Sequence, residues 1–369
     1  MQRRRRGLAL AALGGLLLGT LAATAAEAGT VARSPRVETV ASGLDNPRGL
    51  NFGPGGVLLV TEAGSGGDGP CIIGAGGQEF CLGQTGAVTA VHRGQQRRIV
   101  TGLPSLGTPD LSEVLGPHDV VVHRRSLLVP VGLGTDPARR AELGPAGAAV
   151  GTILKVNPAT DRWRTFADLA AYEAENDPDQ DQPGTAPDTN PYALLPQGGS
   201  KVLAVDAGAN DLLRIDRRGR ISVLTVFPVE MVSGVPMQPV PTTVARGPDG
   251  AYYVGQLTGF PFPVGGAKVF RVVSGKPPTV HAEGFTNIVD IAFDRRGRLL
   301  VLEIFKNGLT SGDPTGALIR VEKDGSRTEI ASEGLITPTG VAVGPDGSYY
   351  VSNKGSALPG EGEVLRIRP

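Results

Sequence analysis

Short apolar runs recur along this chain at a regular beat, and the residues between them are turn formers. One five-residue pattern appears six times: at 87–91 (AVTAV), 152–156 (TILKV), 211–215 (DLLRI), 268–272 (KVFRV), 317–321 (ALIRV) and 363–367 (EVLRI). A basic residue stands next to last in every copy except the first, where Ala90 takes that place. Before each copy lies an apolar strand, a turn and a second apolar strand. Four of these pairs are clear (50–62, 244–256, 291–303 and 341–353) and two are degraded (120–131 and 194–206). Pro-Asp-Gly and Arg-Arg-Gly between β-rich runs are hairpin signals, because glycine supplies the positive φ of a tight turn. A further hairpin follows each five-residue pattern, so each unit predicts four antiparallel strands.

Six such sheets arranged radially make an all-β, six-bladed β-propeller, a form that leaves only short sheet edges open. The sixth unit ends at the C-terminus without a fourth strand. Residues 37–44 resemble the fourth strands that precede the other units, so they are expected to complete the last blade. Residues 37–369 are therefore read as a single propeller domain. Two segments, 136–143 and 163–175, have helical composition and fall in long insertions; a Gly-rich insertion surrounds Cys71 and Cys81.

The first residues read differently. Arg3 to Arg6 precede an uncharged apolar stretch, and Ala26-Glu27-Ala28 fits a small-x-small cleavage site. Residues 1–28 are read as a secretory signal peptide, 29–36 as a short linker, and the product as secreted or periplasmic, with no stable membrane insertion after cleavage. A membrane anchor is the competing reading, although the run is short of the ~20 residues a span needs. The arginines leave both the general and the twin-arginine export routes open. In an oxidising compartment Cys71 and Cys81, the only two cysteines, are expected to form a disulfide. Lys+Arg and Asp+Glu are both 36, so no charge excess draws the chain to nucleic acid.

Register yields the candidate chemistry. Six residues after the hairpin turn stand Glu62, Val131, Asp206, Gln256, Glu303 and Asn353; seven before it stand Gly49, Asp119, Ala193, Thr243, Asp290 and Gly340. Both sets are expected at one mouth of the central channel. Crowded oxygen ligands suit Ca²⁺, so Glu62, Asp206, Glu303 and Asn353 are candidate calcium ligands, against the alternative of a hydrated polar channel. Asp119 or Asp290 is a candidate base on a water, with His118 a candidate acid or base. Gln256, Phe260 and Phe262 are candidate ligand-binding residues at the mouth. The stretch 173–188 echoes a calcium loop through Asp177, Asp179, Asp181 and Asp188, but Gln182 replaces the glycine of such a loop and Asp188 its bidentate glutamate. It is expected to be a solvated loop. No Gly-x-Ser-x-Gly elbow and no phosphate-binding loop occur.

The phrases LDNPRGLNFGPGG (44–56), GPHDVVV (116–122), GLGTDPARRAELG (132–144), DAGANDLLRID (206–216), GQLTGFPFPVG (255–265), GFTNIVDIAFD (284–294) and NGLTSGDPTGALIRV (307–321) resemble the ScyD/ScyE family, named for the scytonemin cluster. The resemblance spans about residues 36–369. It implies an exported propeller-like protein and carries over no catalytic residue. More distantly, the blades are similar to NHL-repeat and gluconolactonase-like propellers. In the latter a Glu, Asn and Asp set holds a divalent metal and an Asp acts as base, with Glu62, Asn353 and Asp206 at plausible places. Two functions follow. One is an exported binding or accessory protein for a small molecule or an extracytoplasmic protein partner. The other is a calcium-dependent hydrolase or lactonase working at the channel mouth.

Overall fold

The computed structural model describes residues 35–368. The signal peptide and nearly all of the linker read from the sequence lie outside that range. Six four-stranded antiparallel sheets form a six-bladed β-propeller. In blades two to five the chain runs from the innermost strand outward. Blade two, for example, comprises Val121–His123, Ser126–Val131, Thr152–Asn157 and Arg162–Asp168. Blade one, built on Pro47–Phe52, Leu58–Glu62, Glu79–His92 and Gln95–Gly107, carries two extra short strands. Blade six takes Gly340–Val343, Tyr349–Asn353 and Gly362–Arg368 from the C-terminal end, and its outermost strand is Arg36–Leu44. Arg36 pairs with Arg368 and Leu44 with Gly362, so the two ends of the described chain close the ring.

The core is divided. Six clusters of buried apolar side chains each lie between two neighbouring blades. Val205, Leu212, Val254 and Phe270 join blades three and four, and Leu50, Val60, Ala342 and Val364 join blades six and one. Each blade is sandwiched, so its middle strands are apolar on both faces, and Leu58–Glu62 and Leu299–Glu303 are buried along their whole length. Each buried Val, Leu or Ile contributes about 1.5–3 kcal/mol.

Local chemistry sets the hairpins. Gly250 and Gly347 sit at φ +81° and +83°, and Asp249 and Asp346 accept hydrogen bonds from Ala251 N–H and Ser348 N–H across the turn. Between the innermost strands there is little room. A Cβ on Gly49 would stand 2.7 Å from the carbonyl oxygen of His118.

The segment 163–175 departs from its helical expectation. Arg162–Asp168 is the fourth strand of blade two, pairing Trp163 with Val156, and only Leu169–Asn176 is α-helical. Trp163, Thr165 and Phe166 favour an extended chain, and Asp168 starts the helix by accepting from Ala171 N–H. The other segment forms a 3₁₀ helix, Pro137–Leu143, capped by Asp136. Among the described residues no helix is long and apolar enough to cross a membrane.

Candidate functional site

One end of the ring carries both the connectors between blades and the loops between second and third strands. All the long insertions are there, including the hairpin of Cys71–Ile73 on Glu79–His92, closed by the disulfide Cys71–Cys81. Three features of this end hold candidate chemistry: the channel, a cup at its mouth, and an acidic pocket beside blade three.

The channel is a cavity of about 360 Å³ lined by the innermost strands, and Asp119 and Asp290 face it from opposite blades, two and five. Neither carboxylate is free. Asp119 Oδ2 accepts from Leu194 N–H of blade three at 2.9 Å, and Oδ1 accepts from Val120 N–H and from Asn51 Nδ2 of blade one. Asp290 Oδ2 accepts from Val341 N–H of blade six at 2.7 Å, and Oδ1 from Thr243 Oγ1 of blade four and Ile291 N–H. Each aspartate therefore staples three blades. The small residues at the same register, Gly49, Ala193 and Gly340, let neighbouring strands approach closely enough. Burial lifts Asp119 to about 7, with the charge of Asp290 adding to the rise, and lifts Asp290 to about 6. His118 lies beside Tyr192, ring centroids 4.5 Å apart, and its Nδ1 is 3.1 Å from the Pro191 carbonyl. Burial, helped by Arg48, holds this imidazole down at about 3, so it is neutral. Arg48 is itself buried and donates to the carbonyls of Gly355 and Val114. Nothing in the strand pattern distinguishes Arg48 or Tyr192 in advance. Arg48 lies next to the glycine of the register and Tyr192 next to its alanine, and of the two Tyr192 lines the channel.

The four candidate calcium ligands do not converge. Each is buried at the end of its blade's second strand and fastens the connector entering that blade. Glu62 accepts from Asp45 N–H and Thr89 Oγ1 and pairs with Arg98. Asp206 accepts from Thr189 Oγ1 and from Asn190, Gly208 and Ala209 N–H. Glu303 accepts from Thr286 N–H, and Asn353 from Ile336 N–H. The recurring polar residue is a capping device repeated around the ring, which explains its periodicity without an ion. Gln256, buried at the same register, donates weakly to the Gly266 carbonyl and holds its own loop.

The cup is a cavity of about 300 Å³ at the mouth, walled by Gln78, Phe80, Glu113, Leu115, Asn190 and Phe262 among others. Phe262 thus lines a cavity, whereas Phe260 is 66% exposed and points to solvent. The loops of this end also carry eight of the eleven exposed large apolar side chains among the described residues, such as Met231, Val264, Leu309 and Leu358.

The stretch 173–188 is exposed over most of its length, as expected of a solvated loop, but two of its acids turn inward. Glu173 and Asp179 are each only 2% exposed. Oxygens of Glu173, Asp177 and Asp179 lie within 4.8 Å of one another, close enough to hold a metal ion. Burial first, then neighbouring acids, lift Glu173 to about 8, Asp179 to about 6 and Asp188 to about 7, and raise Asp211 as well. The other grouping of potential ligands, Cys71, Glu79 and Cys81, has both sulfurs committed to the disulfide.

No family model matches the chain, and no curated protein matches its sequence. Its fold has many relatives among solved structures. A Bacteroides thetaiotaomicron protein of unknown function aligns with TM-score 0.56 at 9% identity, over 91% of this chain and 76% of that one. A Xanthomonas campestris gluconolactonase aligns with TM-score 0.53 at 11% identity, over 90% and 89%. A candidate oxidoreductase (glucose dehydrogenase) of Thermus thermophilus aligns with TM-score 0.52 at 16% identity, over 90% and 100%. At these identities the likeness is one of fold.

Proposed function

We infer that this protein is an exported, extracytoplasmic binding protein that takes a small molecule with both apolar and hydrogen-bonding parts into the cup. The cup is the observation that carries the reading. It combines Phe80, Leu115 and Phe262 with Gln78, Glu113 and Asn190, at a volume within the lower range of ligand pockets. Its wall is stapled by the disulfide, as suits an oxidising compartment. The resemblance to the ScyD/ScyE family supports the same reading, as an exported accessory propeller.

Native mass spectrometry against a panel of small aromatic metabolites, sugars and lactones tests it. The comparison is with Ala75→Trp, which places an indole in the cup from its exposed rim. At least one class of compound binds the wild type, loses affinity about tenfold or more in the variant, and is released unchanged. Binding that ignores Ala75→Trp overturns the reading.

A second reading, hydrolysis of lactones in the channel, is favoured by one observation: Asp119 and Asp290 line the same cavity from opposite blades, where burial lifts both carboxyls above the usual range. It requires turnover that falls in Asp290→Asn and is untouched by Ala75→Trp, an outcome distinct from that expected of the cup.

A further inference from the structure

Among the described residues, six buried carboxylate oxygens have no hydrogen-bond partner, and all six belong to one corner of the molecule. They are Glu173 Oε1, Asp177 Oδ1, Asp179 Oδ1, Asp188 Oδ1 and both oxygens of Asp211. Unpaired polar atoms are rare in protein interiors, and a concentration of one chemical type in one place calls for a ligand of opposite charge. Asp211 is the sharpest case. It is 0% exposed, opens the third strand of blade three, and lies within electrostatic reach of Glu173 and Asp179.

The acids come from two parts of the chain, the helix and following loop at 173–179 and the strand Asp211–Ile215. Glu173 lies on the helix Leu169–Asn176. Asp177 caps that helix in a left-handed conformation at φ +38°, and Asp179 follows two residues later. Asn210 Nδ2 donates to Asp179 Oδ2 at 2.8 Å, so the loop is already tied to blade three while Oδ1 of Asp179 remains unpartnered. No Lys, Arg or His forms an ion pair with Glu173, Asp177, Asp179, Asp188 or Asp211 among the described residues. Among the described residues no cationic side chain pairs with these acids to supply the missing positive charge.

We propose that Glu173, Asp177 and Asp179, backed by the buried charge of Asp211, form a Ca²⁺ site that clamps the insertion between blades two and three onto the ring. The donor set is entirely oxygen, which excludes a preference for zinc or copper, whose protein sites draw on His or Cys. Ca²⁺ accepts six to eight oxygens in adaptable geometry, whereas Mg²⁺ demands a near-ideal octahedron and keeps its waters, a poor match to acids gathered from a helix, a loop and a strand. Asp188, whose Oδ1 is also unpartnered, lines the cup, so the clamp lies next to that wall. The site is separate from the channel, it adjoins Asp206, the cap of blade three and the strand partner of Asp211, and it does not depend on the binding reading.

The test uses the mature protein stripped with chelator and dialysed against CaCl₂. Metal analysis is expected to return one calcium per chain, and the unfolding midpoint to rise with added calcium. Asp211→Asn and Glu173→Gln are expected to weaken calcium binding by about 100-fold, while Asp181→Asn, an exposed acid of the same loop, leaves it intact. Terbium provides a readout independent of stability. Tyr172, half-buried beside Glu173 and near Asp211, should sensitise Tb³⁺ luminescence that Ca²⁺ displaces. Tyr172→Phe should lose the luminescence and keep calcium. Three outcomes overturn the proposal: no calcium bound at millimolar concentration, calcium binding unaffected by Asp211→Asn and Glu173→Gln, or an Asp211→Asn protein stabilised to the same extent in chelator and in calcium. The last would mean that the acids share protons instead of an ion.

Discussion

Asp119→Asn should cross the wild type in stability as pH is raised. The wild-type carboxyl is 8% exposed and titrates at about 7 in the folded protein, against about 3.8 ordinarily. A folded value above the unfolded one means that this group's contribution is fully present below about pH 4. It is lost as pH climbs through about 7. At 1.36 kcal/mol per pH unit, the loss is up to about 4 kcal/mol. The amide variant has no such dependence, but it has a cost of its own. All three partners of Asp119 are donors, namely Leu194 N–H, Val120 N–H and Asn51 Nδ2. An amide has one accepting oxygen, so one backbone N–H loses its partner, at about 1–3 kcal/mol. The variant is therefore less stable than wild type by about 1–3 kcal/mol at pH 4 and more stable by a similar amount at pH 8. Equilibrium unfolding in urea at pH 4.5, 6 and 8 measures this directly. Curves for the two proteins that run parallel across that range would refute the claim that burial of this charge is what the ring tolerates in order to staple three blades.

Other expectations follow from the same geometry. Gly49→Ala drives a methyl to 2.7 Å from a backbone oxygen and should cost about 1–3 kcal/mol or more, read as a lower denaturation midpoint. Removing residues 36–44 strips blade six of its outer strand and of the buried Ala41 and Leu44. The loss, on the order of 5–10 kcal/mol, rivals the whole stability of a domain, so thermal unfolding by circular dichroism should lose its single sharp transition. Cys71→Ser with Cys81→Ser should cost at most about 3 kcal/mol and raise hydrogen exchange locally, in the hairpin and the cup wall, without opening the blades.

The propeller was legible because its logic is repetitive. Turn glycines, paired apolar strands and the five-residue pattern recur, and the missing sixth fourth strand had an evident counterpart at 37–44. The disulfide was legible because two cysteines have only each other. The site was legible in part. Register placed Asp119 and Asp290 on the innermost strands that line the channel, but register reports only where a residue sits along a strand. It does not say which neighbour its oxygens meet. Glu62, Asp206, Glu303 and Asn353 share a position because each blade needs the same cap, and an ion-binding set would look identical in the sequence. The acidic pocket was obscured for the opposite reason. Its members break the repeat, and Asp211 reads as the opening residue of a β-strand. Only folding brings Asp211 within electrostatic reach of Glu173 and Asp179. A loop rich in Asp resembles solvent-facing chain until one sees that the helix before it turns Glu173 inward.

The closure of blade six has a kinetic consequence. Thr39 and Glu363, hydrogen-bonded in the finished ring, are separated by 324 residues, so their pairing is among the most remote contacts the chain makes. Loop-closure entropy makes such a contact late, after the nearer blades have formed. Until then the edge strand Gly362–Arg368 presents unpaired backbone groups to anything it meets, including the same strand of another molecule. The segment that completes the ring is thus also the guard against chains joining edge to edge, and the time it takes to arrive sets how long a newly made molecule is exposed to that hazard.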